Sequence, residues 1–456
     1  MPKVKKIKSK TKGEAEITGN KHSPHHRAGV GAGSPPSISG SCTSISGFSN
    51  SPRNVWNITP PTDQYQRPPL AIRIIWQRIS LISTIRLNMK RIMLSILSVL
   101  LAVLLILVGI VWAWSPGKIK PFLDETGKLL QGSISEKIFV DINGVKQGMF
   151  IRSKDAHKPV LLYLHGGMPD VFLTQQYPTR LEDDFTVVWW EQRGAGLSFR
   201  ADMPLETITP AQLVADVIAV TNYLRNRFGQ DKIYLMGHSG GTFIGIQAAA
   251  KAPELYHAYI GVAQVSNQLK SEVRAYKYML ERFQSEGNKK MVQKLKAAPV
   301  TMTTGIPTAY LRLRDPAMHR LGIGTTHDMH SVITGIFIPS WQFRGYTIRE
   351  KVNLWRAKFN SGVSVVWNTM VSTDLSKETP ILDIPVYFFH GIYDYTCSYT
   401  EAKAYFEQLQ APVKGFYTFE KSAHSPLFEE PEKMQQILRE DVLAGKKQFF
   451  YNKMNN

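Results

Sequence analysis

The stretch of this chain best suited to covalent chemistry is a serine set among glycines. Ile233-Tyr-Leu-Met236 runs without polar alternation into Gly237-His238-Ser239-Gly240-Gly241, and Thr242–Lys251 then reads as a helix. An apolar run without alternation is the pattern of a strand buried on both faces. Gly-x-Ser-x-Gly between such a strand and a helix is a nucleophile elbow, a turn so tight that only small residues can flank the serine. The turn exposes the hydroxyl at the end of the sheet. The helix start behind it offers N–H groups to a developing oxyanion.

A serine so placed needs a base, and the base needs an acid that fixes its tautomer. In this arrangement the chain order is Ser, then Asp or Glu, then His. Two polar residues follow apolar runs near the C-terminus: Asp394 in Phe388-Phe-His-Gly-Ile-Tyr-Asp394, and His424 in Phe419-Glu-Lys-Ser-Ala-His424. Both fall on loops after strands, at the edge where Ser239 also lies. Asp383 precedes its strand and so lies at the opposite end, Glu420 is a rival acid, and His390 sits within a strand. The predicted triad is therefore Ser239, His424 and Asp394. The oxyanion hole is expected from the backbone N–H of Gly240 and one from His165-Gly166-Gly167. Arg193 is expected to tie its loop to the core.

These residues must be positioned by a sheet. Ser135–Asn143 and Val145–Arg152 flank Asn143-Gly144, a strong hairpin signal. Pro159–Leu164, Phe185–Trp190 and Ala258–Ala263 read as buried strands, and Thr209–Phe228 has helical periodicity. Val386–His390 with Thr400–Leu409, and Gly415–Phe419 with Glu432–Leu443, complete the strand–helix alternation. The pattern predicts an α/β fold: a mostly parallel central sheet with helices on both faces. Residues 267–376 interrupt it with helical stretches (Lys270–Gln284, Lys289–Ala297, Thr347–Phe359) and read as a helical cap. The expected units are a core in two parts, 132–266 and 377–450, with the cap between them.

Upstream, Ile92–Trp114 is 23 residues without a charge. As a helix it spans about 35 Å against a bilayer core of roughly 30 Å. It is read as one transmembrane helix, an uncleaved anchor. Arg73, Arg78, Arg86, Lys90 and Arg91 precede it, and Lys118, Lys120 and Lys128 follow. The denser positive side places the N-terminus in the cytoplasm and the hydrolytic part outside the cell membrane. Residues 1–91 read as a basic, disordered extension, and His22, His25 and His26 within it as solvated. Met89-Lys90-Arg91 has the form of a natural start for the anchor, which leaves open whether residues 1–88 belong to the native product.

The formal charge of +19 over 456 residues misleads until it is located. Residues 1–91 hold fifteen Lys and Arg against three acids, a net +12, and the rest of the chain carries +7. The basicity belongs to the tail, which excludes a nucleic-acid-binding face. The two cysteines, Cys42 and Cys397, supply neither a disulfide framework nor metal-ligand spacing. No cofactor or metal is implied.

Five segments together resemble the α/β-hydrolase superfamily. They are His165-Gly166-Gly167, Glu191-Gln192-Arg193-Gly194-x-Gly196-x-Ser198, Gly237-His238-Ser239, His390-Gly391-x-Tyr393-Asp394 and Ala423-His424-Ser425. They are most similar to its prolyl-iminopeptidase-like branch of serine peptidases, over about residues 135–445. The resemblance implies Ser239 as nucleophile, Asp394 and His424 as its partners, and Gly167 with Gly240 as oxyanion donors. That branch usually reads His-Gly-Gly-Pro-Gly where this chain has Met168-Pro169-Asp170 after the glycines, and has Trp at the position of Gly240. Three functions remain open: carboxylesterase, aminopeptidase, and a non-catalytic ligand-binding domain. The substrate is expected to be a small ester or a short peptide. Residues 267–376 hold sixteen Lys and Arg against seven acids, a net +9. A cationic cap repels a free amino terminus, so this charge favours uncharged esters.

Overall fold

The computed structural model describes residues 68–447. The tail before residue 68, with its histidine cluster and Cys42, and residues 448–450 of the expected second core part lie outside the described residues.

The strands are β1 (Ile134–Ile142), β2 (Val145–Ser153), β3 (Val160–Leu164), β4 (Thr186–Glu191), β5 (Ile233–His238), β6 (Tyr256–Val262), β7 (Val386–Gly391) and β8 (Lys414–Phe419). They form one eight-stranded sheet in the order β1-β2-β4-β3-β5-β6-β7-β8. β1 and β2 pair antiparallel, as do β2 and β4; every later pairing is parallel. Asn143 at φ 49° and Gly144 at φ 74° form the tight turn of the β1–β2 hairpin, which needs positive φ at both positions. All residues of β3, β4, β5 and β7 are buried, as continuous apolar runs in a parallel sheet require.

The helices are α1 (Leu70–Ala113), α2 (Pro210–Phe228), α3 (Gly240–Lys251), α4 (Gln268–Ser285), α5 (Lys289–Lys296), α6 (Thr308–Arg320), α7 (Ile338–Gln342), α8 (Ile348–Asn360), α9 (Val363–Ser372), α10 (Leu375–Glu378), α11 (Tyr399–Gln408), α12 (Pro426–Glu429) and α13 (Pro431–Ile437). One face of the sheet packs on α2, α3 and α11 through Val217, Val220, Ile246 and Tyr405. The other buries Tyr163, Trp189, Ile260 and Phe389 against Phe428, Met434 and Ile437. Helices α4 to α6 share a third core built on Met279, Phe283, Leu295 and Tyr310. The insertion between β6 and β7 is helical, but Leu354 of α8 and Val366 of α9 join the two cores of the sheet instead.

One element departs from expectation. Helix α1 begins at Leu70, so residues 70–91 are helical where a disordered extension was expected. After Pro68-Pro69 this stretch has no glycine or proline, and its arginines sit among isoleucines and leucines. Charge content there masks good helix formers. Helix α6 carries Pro316 in its interior, where a proline supplies no backbone N–H. Helix α9 carries Val363, Val365 and Val366, a β-branched run with strand preference that packing on the core overrides through Val366 and Met370. Helix α1 is also the one helix among the described residues long and apolar enough to cross a membrane by length and composition; none of its residues is buried.

Candidate active site

Ser239 sits between β5 and α3 with φ 55° and ψ −126°, a conformation that non-glycine residues rarely adopt. The glycines around it have steric causes. A Cβ on Gly241 would lie 2.1 Å from the carbonyl oxygen of Leu164, and one on Gly166 would lie 2.7 Å from Ser239 Cβ. Strand β3, which ends at Leu164, thus runs directly under the turn, and the His165-Gly166-Gly167 loop passes over the serine. Gly240 opens α3, so its N–H is among those a helix leaves without an intrahelical acceptor.

Asp394 lies on the loop after β7 and is 2% exposed. Its Oδ1 accepts the N–H groups of Thr396 (2.8 Å) and Cys397 (3.0 Å). Its Oδ2 lies 2.9 Å from His424 Nδ1. His390 Nε2 stands 3.1 Å from the same Oδ2 and 2.6 Å from the carbonyl oxygen of Cys397. Burial alone would raise the Asp394 carboxyl, but the two histidines that face it hold it well below the usual carboxylate range. Burial also pulls His424 below the ordinary histidine value, against the opposing pull of Asp394. A neutral imidazole that gives Nδ1–H to a fixed carboxylate keeps its Nε2 lone pair free for a proton.

Ser239, His424, Gly166, Gly167 and Gly240 line one cavity of about 560 Å³. The five residues named from sequence as triad and oxyanion donors thus split in one way only: four of them border the cavity, and Asp394 lies behind His424. His390 approaches Asp394 rather than the serine. Asp383 is exposed, and Glu420 pairs with Lys433 at the surface. Arg193 binds Asp216 through Nε (2.6 Å) and Nη2 (3.0 Å), a buried ion pair that also takes bonds from Asn143, Gln147 and Gln212.

Several site residues escaped the sequence reading. His238 places Nδ1 at 3.0 Å from Asp170 Oδ2 and Nε2 at 3.0 Å from the carbonyl oxygen of His424. Tyr163 Oη donates to the same Asp170 oxygen at 2.7 Å. Asp170 belongs to the Met168-Pro169-Asp170 departure, so the signal was visible without its partners. Burial pushes His165 down to about 4, with Nε2 accepting the Gln192 N–H at 3.2 Å, so its ring is neutral.

The cap contributes Arg314, Asp315, His319, Trp355, Lys358 and Phe359 to the cavity lining, among others. A Cβ on Gly167 would lie 3.1 Å from Lys358 Nζ, which places a cation beside the expected oxyanion site. Arg314 is paired with Glu272, itself 0% exposed. The argument from the cap's net charge needs correction here. Of its sixteen Lys and Arg, Arg314 and Lys358 alone border the cavity. Helical periodicity cannot tell a cap's outer face from its inner one. Asp315 also borders the cavity, its carboxylate 51% exposed and 2.8 Å from Arg314 Nη1.

A mostly parallel sheet with a serine at the β5–α3 turn, and a His–Asp pair on the loops after β8 and β7, defines a class. Residues 159–431 match the family described as alpha/beta hydrolase fold, and the chain belongs to that family. The Bacillus subtilis (strain 168) protein named "Probable aminopeptidase YbaC" is 29% identical over 313 residues, covering 64% of this chain and 91% of that protein. Among solved structures, a proline iminopeptidase-related protein from Thermus thermophilus has 17% identity and a TM-score of 0.49, covering 68% of this chain and 98% of the other. A proline iminopeptidase from Mycobacterium smegmatis has 16% identity and a TM-score of 0.47, covering 68% and 100%.

Proposed function

We propose that the protein is a membrane-anchored serine hydrolase that cleaves esters or amides through an acyl-enzyme. The observation that carries this reading is the 2.9 Å contact of His424 Nδ1 with Asp394 Oδ2, on the far side of an imidazole that shares its cavity with Ser239. His424 Nε2 takes the Ser239 proton as Oγ attacks the substrate carbonyl carbon. The N–H groups of Gly240 and Gly167 receive the oxyanion, with the Lys358 ammonium close by. Collapse breaks the bond to the leaving group, which departs with the proton from His424. Water then gives a proton to His424, attacks the acyl carbon and restores Ser239.

Much of the lining is apolar: Phe172, Leu311, Val332, Ile336, Trp367 and Met370 among others. That lining supports a carboxylesterase-like preference for uncharged acyl groups. A second reading, aminopeptidase, draws on the Asp315 carboxylate at the cavity and on the aminopeptidase name of the Bacillus relative. Rates on p-nitrophenyl esters against aminoacyl anilides, with the amine free and blocked, separate the two. Ser239→Ala is expected to abolish turnover and fluorophosphonate labelling, while shifting stability by less than about 1 kcal/mol because a single exposed-side hydroxyl is lost. Normal labelling of that variant would replace the catalytic reading with a binding one.

The anchor is residues 92–114, supported by an apolar helix with no buried residue. The flanking positive charge supports a cytoplasmic N-terminus and a hydrolase domain outside the cell membrane. We assign residues 132–266 and, among the described residues, 377–447 to the two core parts, with 267–376 as the cap between them.

A further inference from the structure

One helix of the cap touches both the anchor and the cavity. Lys351, on the first turn of α8, is 1% exposed, an unusual state for a lysine. Its ammonium donates to the carbonyl of Trp114 (2.8 Å), to Ser115 Oγ (2.9 Å) and to the carbonyl of Trp341. Arg344 Nη1 donates to the carbonyl of Ala113 at 3.2 Å, and the Arg344 carbonyl accepts the Lys118 N–H at 3.0 Å. The last turn of a helix leaves such carbonyls without intrahelical donors, and its dipole draws cations to them. Gly117, at φ 69°, turns the chain beneath Thr347, where a Cβ would lie 2.6 Å from Cγ2. The C-terminal end of α1 is thus held on cap residues 341–351.

From that junction an exposed apolar track leads to the cavity. Ile348 and Val352 flank Lys351 and are 39% and 41% exposed. Phe337 packs on Trp341 and Trp355 with ring centroids 6.2 and 5.1 Å apart, and Trp355 on Phe359 at 6.1 Å. Trp355 and Phe359 line the cavity that holds Ser239, yet Phe359 is 71% exposed. Along α8, Phe359 lies only about 12 Å from Lys351 at 1.5 Å per residue. Arg344, Arg349 and Arg356 stand exposed on the same segment. Contiguous apolar side chains, aromatic rings and arginines at the end of a membrane-crossing helix match a surface that sits in the headgroup region.

We propose that this cap face, from Phe337 to Phe359, lies on the bilayer that α1 enters, and that the cavity takes its acyl substrate from the lipid as an ester or amide of a long hydrocarbon chain. The chemistry rests on the hydrolase reading above; the docking does not. Anionic headgroups complement the three arginines, and the aromatic row offers the acyl chain a dry route to Ser239.

The test uses the full-length protein carrying Val352→Cys in a Cys42→Ser background, labelled with an environment-sensitive nitrobenzoxadiazole dye. It is reconstituted in vesicles of phosphatidylcholine and phosphatidylglycerol, with the labelled parent defining any background from Cys397. Docking predicts blue-shifted emission that lipids spin-labelled near the headgroup quench; water-like, unquenched emission overturns it. In parallel, Ile348→Asp with Val352→Asp is assayed on vesicle-held p-nitrophenyl laurate and on soluble p-nitrophenyl acetate. The laurate-to-acetate rate ratio should fall roughly tenfold, the effect of about one lost apolar contact with lipid. An unchanged ratio overturns the lipid route whatever fraction of the variant folds. A wild-type protein inert on both esters would overturn the lipid route and leave the aminopeptidase reading to the anilides, and the dye would still decide the docking.

Discussion

His238 Nε2 lies 3.0 Å from the backbone carbonyl oxygen of His424, so the residue before Ser239 holds the loop that carries His424. The other ring nitrogen is anchored on Asp170, which Tyr163 also engages. Serine and imidazole are therefore held to each other through a buried polar chain as well as through the sheet. His238→Leu keeps the bulk and removes the bond. It is expected to lower kcat roughly tenfold, the worth of about one hydrogen bond, with KM little changed. A KM effect without a kcat effect would mean that His238 contacts substrate instead.

The pH profile follows from His424. The base must be neutral to accept a proton, and burial pulls its value below the ordinary 6.5. On the proposed mechanism, kcat/KM should therefore fall on the acid side with an apparent pKa below 6.5 and stay level through neutrality. Asp394→Asn removes the charge that raises His424 and disturbs its tautomer. The acid limb should move lower still, and kcat should drop by about 10⁴.

Glu191 makes a second, structural pH dependence. Its carboxyl takes the Tyr346 hydroxyl and the Leu197 N–H, and burial pushes it up to about 8. The folded state then binds a proton that the unfolded chain, with a carboxyl near 4.5, has released. Stability should accordingly decline as pH rises between those two values and level off above. Glu191→Gln should flatten this decline in a melting-temperature series and raise the melting point relative to wild type at pH 9. A wild-type curve that rises over the same range would refute the assignment.

Arg193 and Asp216 are an ion pair at 4% and 0% side-chain exposure. Removing one partner leaves the other charged and buried. Arg193→Ala should cost about 3–5 kcal/mol in denaturant unfolding, and the folded fraction should keep its kcat. A loss of kcat at full folding would put Arg193 in contact with the reaction.

Topology is decided by protease added to intact cells. The positive residues before the anchor predict that the hydrolase domain is removed and the N-terminus protected. Protection of the domain until lysis would reverse the orientation.

Local patterns carried much of this protein in the sequence alone. An apolar run ending in Gly-x-Ser-x-Gly is the pattern of a strand, a strained turn and a helix, because so tight a turn admits only small residues beside the serine. Asp394 and His424 were legible because each follows an apolar strand at a fixed place in chain order. The long apolar helix was legible because 23 uncharged residues have the length that a bilayer would require. The rest depended on which distant segments meet. Nothing local told that Asp170 would lie beside His238, since 68 residues separate them. His390 could be seen as a histidine near a strand end, but its place behind Asp394 comes from the loop that folds Cys397 back onto it. The cap's charge could be counted, yet only packing sent nearly all of it away from the cavity. Lys351 reads in sequence as one more cap cation; tertiary structure alone buries it on the end of α1, where unpaired carbonyls repay the desolvation of its charge.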